Sequence, residues 1–128
     1  MAGFTVVNLK EIDDSAGDRS PDVEARLARK HLDSEHLGVS YFRYGPGYRN
    51  QMGHSHREQE EVYVVIQGSG RLKLGDEIVP LRQWDVVRVA PETIRAFEGG
   101  PDGIEVIAIG SDRPADGDGI PTHDWWID

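Results

Sequence analysis

Apolar and polar residues alternate in short runs along most of the chain, and glycine or proline residues separate the runs. Because side chains alternate between the two faces of a β-strand, this pattern predicts a succession of short strands, each with one buried face. The predicted strands cover residues 38–44, 54–56, 61–66, 71–74, 77–81, 86–89, 94–98 and 104–109, with turns at 45–47, 67–70, 75–76 and 99–103. The pattern therefore indicates an all-β domain.

The two ends of the chain lie outside this run of strands. Residues 4–9 predict a further short strand. Ser20, followed by proline, is typical of a helix start and predicts one short N-terminal helix over residues 21–32, because serine caps free N–H groups and proline fits the first helical position. Residues 111–128 form a polar tail with two adjacent tryptophans. Rings of this size are expected to fold back on the domain, to act as a lid or to contact a second copy.

Composition narrows the classes of function. A chain of 128 residues is expected to form one domain over residues 1–128. Its 23 acidic and 14 basic residues give a net charge of −9, which repels phosphate backbones, so no nucleic-acid partner is expected. Cysteine is absent, which excludes disulfides and thiolate metal sites. The sequence has neither a long apolar run nor a signal-like pattern, so we expect a cytoplasmic protein without a membrane partner.

One group of residues has the spacing of a metal site. His54 and His56 lie one residue apart, and Glu61 opens the next predicted strand. Residues i and i+2 of an extended chain point to the same side, so both imidazoles can face the carboxylate across a short loop. Two imidazoles and one carboxylate suit a divalent transition metal such as Fe, Mn, Ni or Zn, and three protein ligands leave coordination positions open. The alternative is a polar loop that binds no metal.

The same stretch resembles the first motif of the cupin superfamily, in which His-x-His is followed after four residues by Glu and after six more by Gly. Here His54, His56, Glu61 and Gly68 occupy these positions. The resemblance covers about residues 38–110 and is to small single-domain cupins with a cupin 2 type conserved barrel. It implies a small antiparallel β-barrel, or jelly roll, in which the two histidines and the glutamate bind the metal. It names no substrate, because this fold supports many chemistries.

The second cupin motif is altered in this chain. Where the superfamily pattern reads Pro-x-Gly-x-x-His, residues 90–95 end in Arg95, which takes the place of a fourth metal ligand. A guanidinium stays protonated and cannot bind a metal. Arg95 can therefore turn to solvent, form an ion pair with Glu61 that replaces the metal, or bind an anionic substrate beside the metal. A buried cation next to a metal dication is costly unless an anion lies between them, so a metal site here implies an anionic substrate.

Four further residues are candidate substrate contacts because of their place in the strand pattern. If Glu61 faces the interior, Tyr63 shares its face. Tyr41 and Arg43 share a face of one predicted strand, and Arg88 lies in another. All four are assigned from alternation alone.

Three functions are compatible with these residues. The first is a metal-dependent enzyme with dioxygenase- or isomerase-type chemistry on a small anionic molecule. The second is a non-catalytic ligand-binding or sensor protein, possible without a metal if Arg95 pairs with Glu61; a structural oligomer is a third. Cupins are commonly dimers, and the outward row of Val62, Val64 and Ile66 is compatible with a homodimer.

Overall fold

A computed structural model describes residues 3–17, 19–114 and 116–126 of the chain, and about half of these residues lie in strands. The strands are β1 (Val23–Leu27), β2 (Gly38–Tyr44), β3 (Gly53–His56), β4 (Glu61–Leu74), β5 (Glu77–Arg82), β6 (Val86–Val89), β7 (Arg95–Gly110) and β8 (Gly119–Thr122). Within these residues the one helical turn, α1, spans Arg29–Leu32. No helix of this part of the chain is long and apolar enough to cross a membrane.

The fold is organised around the antiparallel pair of β4 and β7. The two strands pair from Glu61 opposite Gly110 to Leu74 opposite Arg95. β5 and β6 pair with β4, β2 and β3 pair with β7, and β1 and β8 extend the sheet beyond β2 and β3. Inward side chains form a core that includes Tyr63, Val65, Leu72, Phe97, Ile104 and Val106. The prediction of an antiparallel all-β fold is confirmed, but the curled sheet is a half-barrel and not a closed barrel.

Two turns predicted within the core are bends inside long strands. β4 runs through residues 67–70 and β7 through residues 99–103, and the register shifts between Gly68 and Gly70. Gly68 has a φ of 76° and Gly103 a φ of 78°, values that glycine adopts without steric cost. The glycines therefore curl the paired strands around the core instead of ending them, as bulges do. The turn at residues 75–76 joins β4 to β5, as predicted.

The two predictions for the N-terminal segment are wrong. Residues 4–9 form no strand, and residues 23–27 form β1 instead of the middle of a helix. The hydroxyl of Ser20 does accept a hydrogen bond from the backbone N–H of Asp22, but the turn leads into a strand. β1 pairs along its whole length with residues 40–44 of β2, and its Glu24 is buried between three cationic side chains, those of Lys10, Arg26 and Arg43. These long-range contacts outweigh the local helix signal.

The C-terminal tail folds back on the same sheet. β8 pairs with β3, from Gly53 opposite Thr122 to His56 opposite Gly119. Beyond it, the backbone N–H of Trp125 donates to the carbonyl of Gln51, and the Trp126 ring is buried with the guanidinium of Arg49 4.6 Å from its centroid. The tail therefore covers the edge of β3, the strand that carries both candidate metal-binding histidines.

Candidate metal centre

The three predicted metal ligands lie together at the inner face of the half-barrel. His54 and His56 project from one side of β3, and Glu61 is the first residue of β4. The Nε2 atom of His56 lies 3.2 Å from Oε1 of Glu61, and the Nε2 atom of His54 lies 3.6 Å from the same oxygen. One ligand atom from each residue can be chosen so that all three lie within 4.8 Å of one another. These separations are suitable for three donors around one transition-metal ion, whose bonds to nitrogen and oxygen are about 2.0–2.2 Å long.

Asp118, in the tail just before β8, fixes the orientation of His56. Its Oδ1 lies 2.9 Å from Nδ1 of His56, and its Oδ2 accepts the backbone N–H groups of Glu58 and Gln59 at 2.8 and 2.9 Å. Burial of Asp118 opposes its charge, but these hydrogen bonds lower its pKa to about 2. The carboxylate is therefore ionised and can only accept, so Nδ1 of His56 must carry the donated proton.

This arrangement leaves Nε2 of His56 as the atom that faces Glu61. Nε2 is buried and has no hydrogen-bond partner, because its 3.2 Å approach to Glu61 does not have the direction of a hydrogen bond. Burial lowers the pKa of His56, yet the carboxylates of Glu61 and Asp118 raise it overall. A carboxylate behind a histidine is the usual support for a metal-binding imidazole, since it fixes the tautomer and makes the free nitrogen more basic.

Glu61 is the centre of the cluster. Its Oε1 accepts a hydrogen bond of 2.8 Å from the hydroxyl of Tyr63 and lies 3.3 Å from Nη2 of Arg95. Burial raises the pKa of Glu61, but the two histidines and Tyr63 lower it well below its usual range. Burial and the charge of Glu61 raise the pKa of Tyr63 in turn. Glu61 is therefore an anion and Tyr63 a neutral proton donor.

Arg95 is fully buried, so the prediction that it can turn to solvent is wrong. Its Nη1 donates to the carbonyl oxygen of Thr93 at 2.8 Å and also contacts the carbonyls of Pro91 and His54. Its Nε and Nη2 have no hydrogen-bond partner, although Nη2 lies within ion-pair distance of Glu61. The side chain is thus held rigidly with unused donors beside the cluster.

Part of the cluster lines a cavity of about 180 Å³, which we call the inner chamber. Its walls include His54, Glu61, Arg95 and, as predicted from alternation, Tyr63. Sequence reasoning missed Phe42 and Tyr44, which also line it. Alternation divides the residues of β2 into two faces, but only the fold shows which face is inward.

The other three candidate substrate contacts lie outside the chamber, which corrects their assignment. The hydroxyl of Tyr41 donates to Glu105, and Arg43 pairs with Glu24, both on the outer face of β2. Arg88 lies opposite Val62 on the outer face and pairs with exposed Glu60. Asp118 was also missed, because nothing in a polar tail marks one acid as the partner of a histidine in a distant strand.

Comparison with known proteins identifies the fold. No protein-family model matches the chain, and no curated protein sequence matches it. Among solved structures, a cupin protein from Bacteroides fragilis superposes with a TM-score of 0.73 at 20% identity, over 90% of this chain and 89% of that one. A sugar phosphate isomerase of the cupin superfamily from Silicibacter pomeroyi gives 0.69 at 15% identity, over 93% and 92%.

A third similar structure is an oxalate decarboxylase from Bacillus subtilis, with a TM-score of 0.73 at 20% identity over 91% of this chain and 32% of that one. At such identities the likeness is one of fold. The chain has the cupin fold, as the resemblance of its His54-to-Gly68 stretch to the first cupin motif implied.

Proposed function

We propose that the chain binds a divalent transition metal through His54, His56 and Glu61 and acts on a small anionic molecule. One observation carries the proposal: the buried Nε2 of His56 lacks a hydrogen-bond partner, while buried Asp118 holds the proton of the ring on the other nitrogen. A buried polar atom without a partner is costly, and a metal ion would remove that cost. The similar structures described as an oxalate decarboxylase and a sugar phosphate isomerase are enzymes, which supports a catalytic role.

The donor set fits Fe, Mn, Ni or Zn, and it does not favour one of them. Three protein ligands would leave coordination positions for a substrate, and the bound metal would supply a Lewis acid or an O₂-binding centre for isomerase- or dioxygenase-type chemistry. Arg95, with two nitrogens lacking hydrogen-bond partners, would bind and orient the negative charge of the substrate. Tyr63 would hold a proton at its hydroxyl within the same chamber.

A second candidate function follows from the contact between Arg95 and Glu61. The 3.3 Å separation of Nη2 and Oε1 in a fully buried arginine is the geometry of an ion pair that could take the place of a metal. In that case the chain would be a metal-free ligand-binding or sensor protein, and the inner chamber would hold a ligand without turnover.

Elemental analysis of protein purified without a polyhistidine tag separates the two functions. About one equivalent of a transition metal per chain is expected, and the variant with His54→Ala and His56→Ala together should lose it while keeping its circular dichroism spectrum. The matched control is His31→Ala with His36→Ala, because these histidines lie on the surface away from the chamber. No metal after incubation with Fe, Mn, Ni and Zn would contradict the proposal and favour the metal-free function.

We also propose that the chain forms a homodimer through the outer face of β4, β6 and β7. The face carries an apolar row of Val62, Val64 and Ile66, with Val86 (63% exposed) and Ile109 (38% exposed) on the neighbouring strands. Apolar area of this kind, left open in the described chain, is typical of a surface that a protein partner covers. We infer that a second copy of the chain covers this face.

A cytoplasmic location stays a prediction from the sequence.

A further inference from the structure

The inner chamber adjoins a larger space that we call the vestibule. The vestibule has a volume of about 430 Å³ and shares Phe42, Tyr44, Asn50 and His54 with the inner chamber. His54, with 41% of its side chain exposed, stands where the two meet. The two volumes adjoin at these shared residues, and their combined size is in the range of small-molecule sites. A molecule bound at the candidate metal centre can therefore extend outward into the vestibule.

The vestibule presents an aromatic surface. The ring of Tyr44 is parallel within 2° to those of Phe42 and Tyr48, and the ring centroids are 6.4 and 6.2 Å from that of Tyr44. Val23 and Met52 add aliphatic surface beside these rings. Rings that pack against a flat apolar body contribute both buried area and favourable aromatic contacts. This surface is suited to a flat apolar group.

The faces of these rings offer no hydrogen-bond partner, and the polar groups of the vestibule, on Arg19, Ser20, Tyr44, Tyr48, Asn50 and His54, are partly used within the protein. The amide oxygen of Asn50 accepts the backbone N–H of Met52 at 3.2 Å. Arg19 is exposed and its Nε donates to the carbonyl of Ala16. A sugar would require hydrogen-bond partners for several hydroxyl groups, because an unpaired buried hydroxyl is costly. A small dicarboxylate that reached into the vestibule would require a cation there, and the one arginine or lysine that lines the vestibule, among the described residues, is exposed Arg19.

The inner chamber, in contrast, is built for a negative charge. Arg95 presents Nε and Nη2 without hydrogen-bond partners, and a bound metal would add further positive charge opposite Glu61. The two spaces therefore differ in kind: one favours an anion and the other a flat apolar ring. A ligand that uses both must carry the two groups on one molecule.

We propose that the substrate is an aromatic carboxylate, with its carboxylate in the inner chamber near Arg95 and its ring in the vestibule against Phe42, Tyr44 and Tyr48. The proposal rests on the proposed function for the anion-binding half of the site. It goes further in naming the class of molecule, and it makes Phe42 and Tyr48 specificity-determining residues.

Calorimetric titration with benzoate and acetate tests the proposal, because the two ions share a carboxylate and differ in the ring. Protein loaded with Zn(II), which is redox-inactive, should bind benzoate about 10-fold or more tightly than acetate, as one ring contact of about 1.4 kcal/mol requires. Phe42→Leu and Tyr48→Leu should each reduce this ratio several-fold by weakening benzoate more than acetate, and Tyr48→Leu, which lies outside the inner chamber, should leave the acetate affinity unchanged. The matched control is Phe4→Leu, because Phe4 is 76% exposed and lies outside both spaces.

The outcomes separate this proposal from the proposed function. Benzoate that binds no more tightly than acetate, or a leucine variant that weakens both ions equally, would overturn the aromatic carboxylate. Leucine keeps apolar volume at both positions, and thermal melting by circular dichroism identifies a variant that fails to fold. If one variant does not fold, the benzoate-to-acetate ratio of the other variant still tests the proposal. If the protein takes up no metal, the proposed function fails before any carboxylate is added. The same titrations on metal-free protein, in which Arg95 alone would bind the carboxylate, then test the preference for an aromatic ring.

Discussion

Replacing Asp118 with asparagine is the sharpest test of how the tail supports the metal centre. The carboxylate is 1% exposed and makes three hydrogen bonds, one to Nδ1 of His56 and two to the backbone N–H groups of Glu58 and Gln59. An asparagine has the same shape but only one accepting oxygen. Asp118→Asn therefore keeps the packing and changes which of these donors can be satisfied.

The geometry indicates which way the amide will turn. If its oxygen faces Glu58 and Gln59, both backbone bonds are kept and the amide N–H₂ faces His56. Nδ1 of His56 must then accept, so the proton moves to Nε2, the atom that points at Glu61. The opposite rotamer would leave two N–H groups facing an N–H₂ group, at a cost of about 1–3 kcal/mol for each buried unsatisfied donor. The first rotamer is favoured, and it blocks the nitrogen that would bind the metal.

We expect Asp118→Asn to lower metal affinity about 10- to 100-fold, or about 1.4–2.8 kcal/mol, with little loss of fold stability. Competition with a chelator measures the affinity for Zn(II), and ¹⁵N NMR of the imidazoles in metal-free protein reports the tautomer of His56. The matched control is Asp112→Asn, because Asp112 also contacts a histidine, His36, at 3.0 Å but is 71% exposed. Unchanged Zn(II) affinity, or a loss of affinity without a change of tautomer, would refute the reasoning.

Two further predictions concern the outer face of the sheet. Burial raises the pKa of Glu24, but hydrogen bonds from its three cationic partners lower it to about 2 from an ordinary 4.5. The charge of Glu24 therefore stabilises the fold above pH 4.5, and this contribution is lost as the pH falls toward 2. Glu24→Gln should lower the free energy of unfolding by about 1–2 kcal/mol at neutral pH, after allowance for solvent screening. In urea unfolding, this variant should lose less stability than the wild type when the pH falls from about 5 to about 3. The control variant, Glu60→Gln at an exposed position, should behave as the wild type. For the proposed dimer, Val86→Asp places a charge on the interface and should give a monomer by light scattering. The control Ile78→Asp, at an exposed position on β5, should stay dimeric. A wild-type protein that is monomeric would refute the interface.

The strands were predictable because their patterns are local. Alternation located β2, β4, β5, β6 and β7, and the placement of Glu61 and Tyr63 on one face followed from the two-residue period, whereas the fold shows that this face is inward. The segment 21–32 was mispredicted because Ser20 and the following proline are helix signals, whereas the contacts that make β1 a strand come from the edge of β2. Local signals cannot report such pairing.

The grouping of the three candidate ligands was predictable from the sequence, and their surroundings were not. His54, His56 and Glu61 lie within eight residues, so their spacing carries the geometry. Asp118 reaches His56 across 62 residues, and no pattern near residue 118 indicates that contact. For Arg95 the sequence left three arrangements, and only the burial of the side chain in the fold excluded solvent exposure.

The contact of Arg95 with Glu61 does not by itself exclude a metal, because a carboxylate has two oxygens. The hydrogen bond of Tyr63 and the ion pair with Arg95 both use Oε1 of Glu61, and within the described residues Oε2 accepts no hydrogen bond. Arg95 is held in place through the carbonyls that accept from Nη1, so it would remain beside Glu61 when a metal binds. Its positive charge would then draw electron density from the carboxylate, and the metal would be held less tightly but would attract an anionic substrate more strongly. In this arrangement the arginine that replaces a fourth ligand and the three-residue metal centre are parts of one anion-binding site.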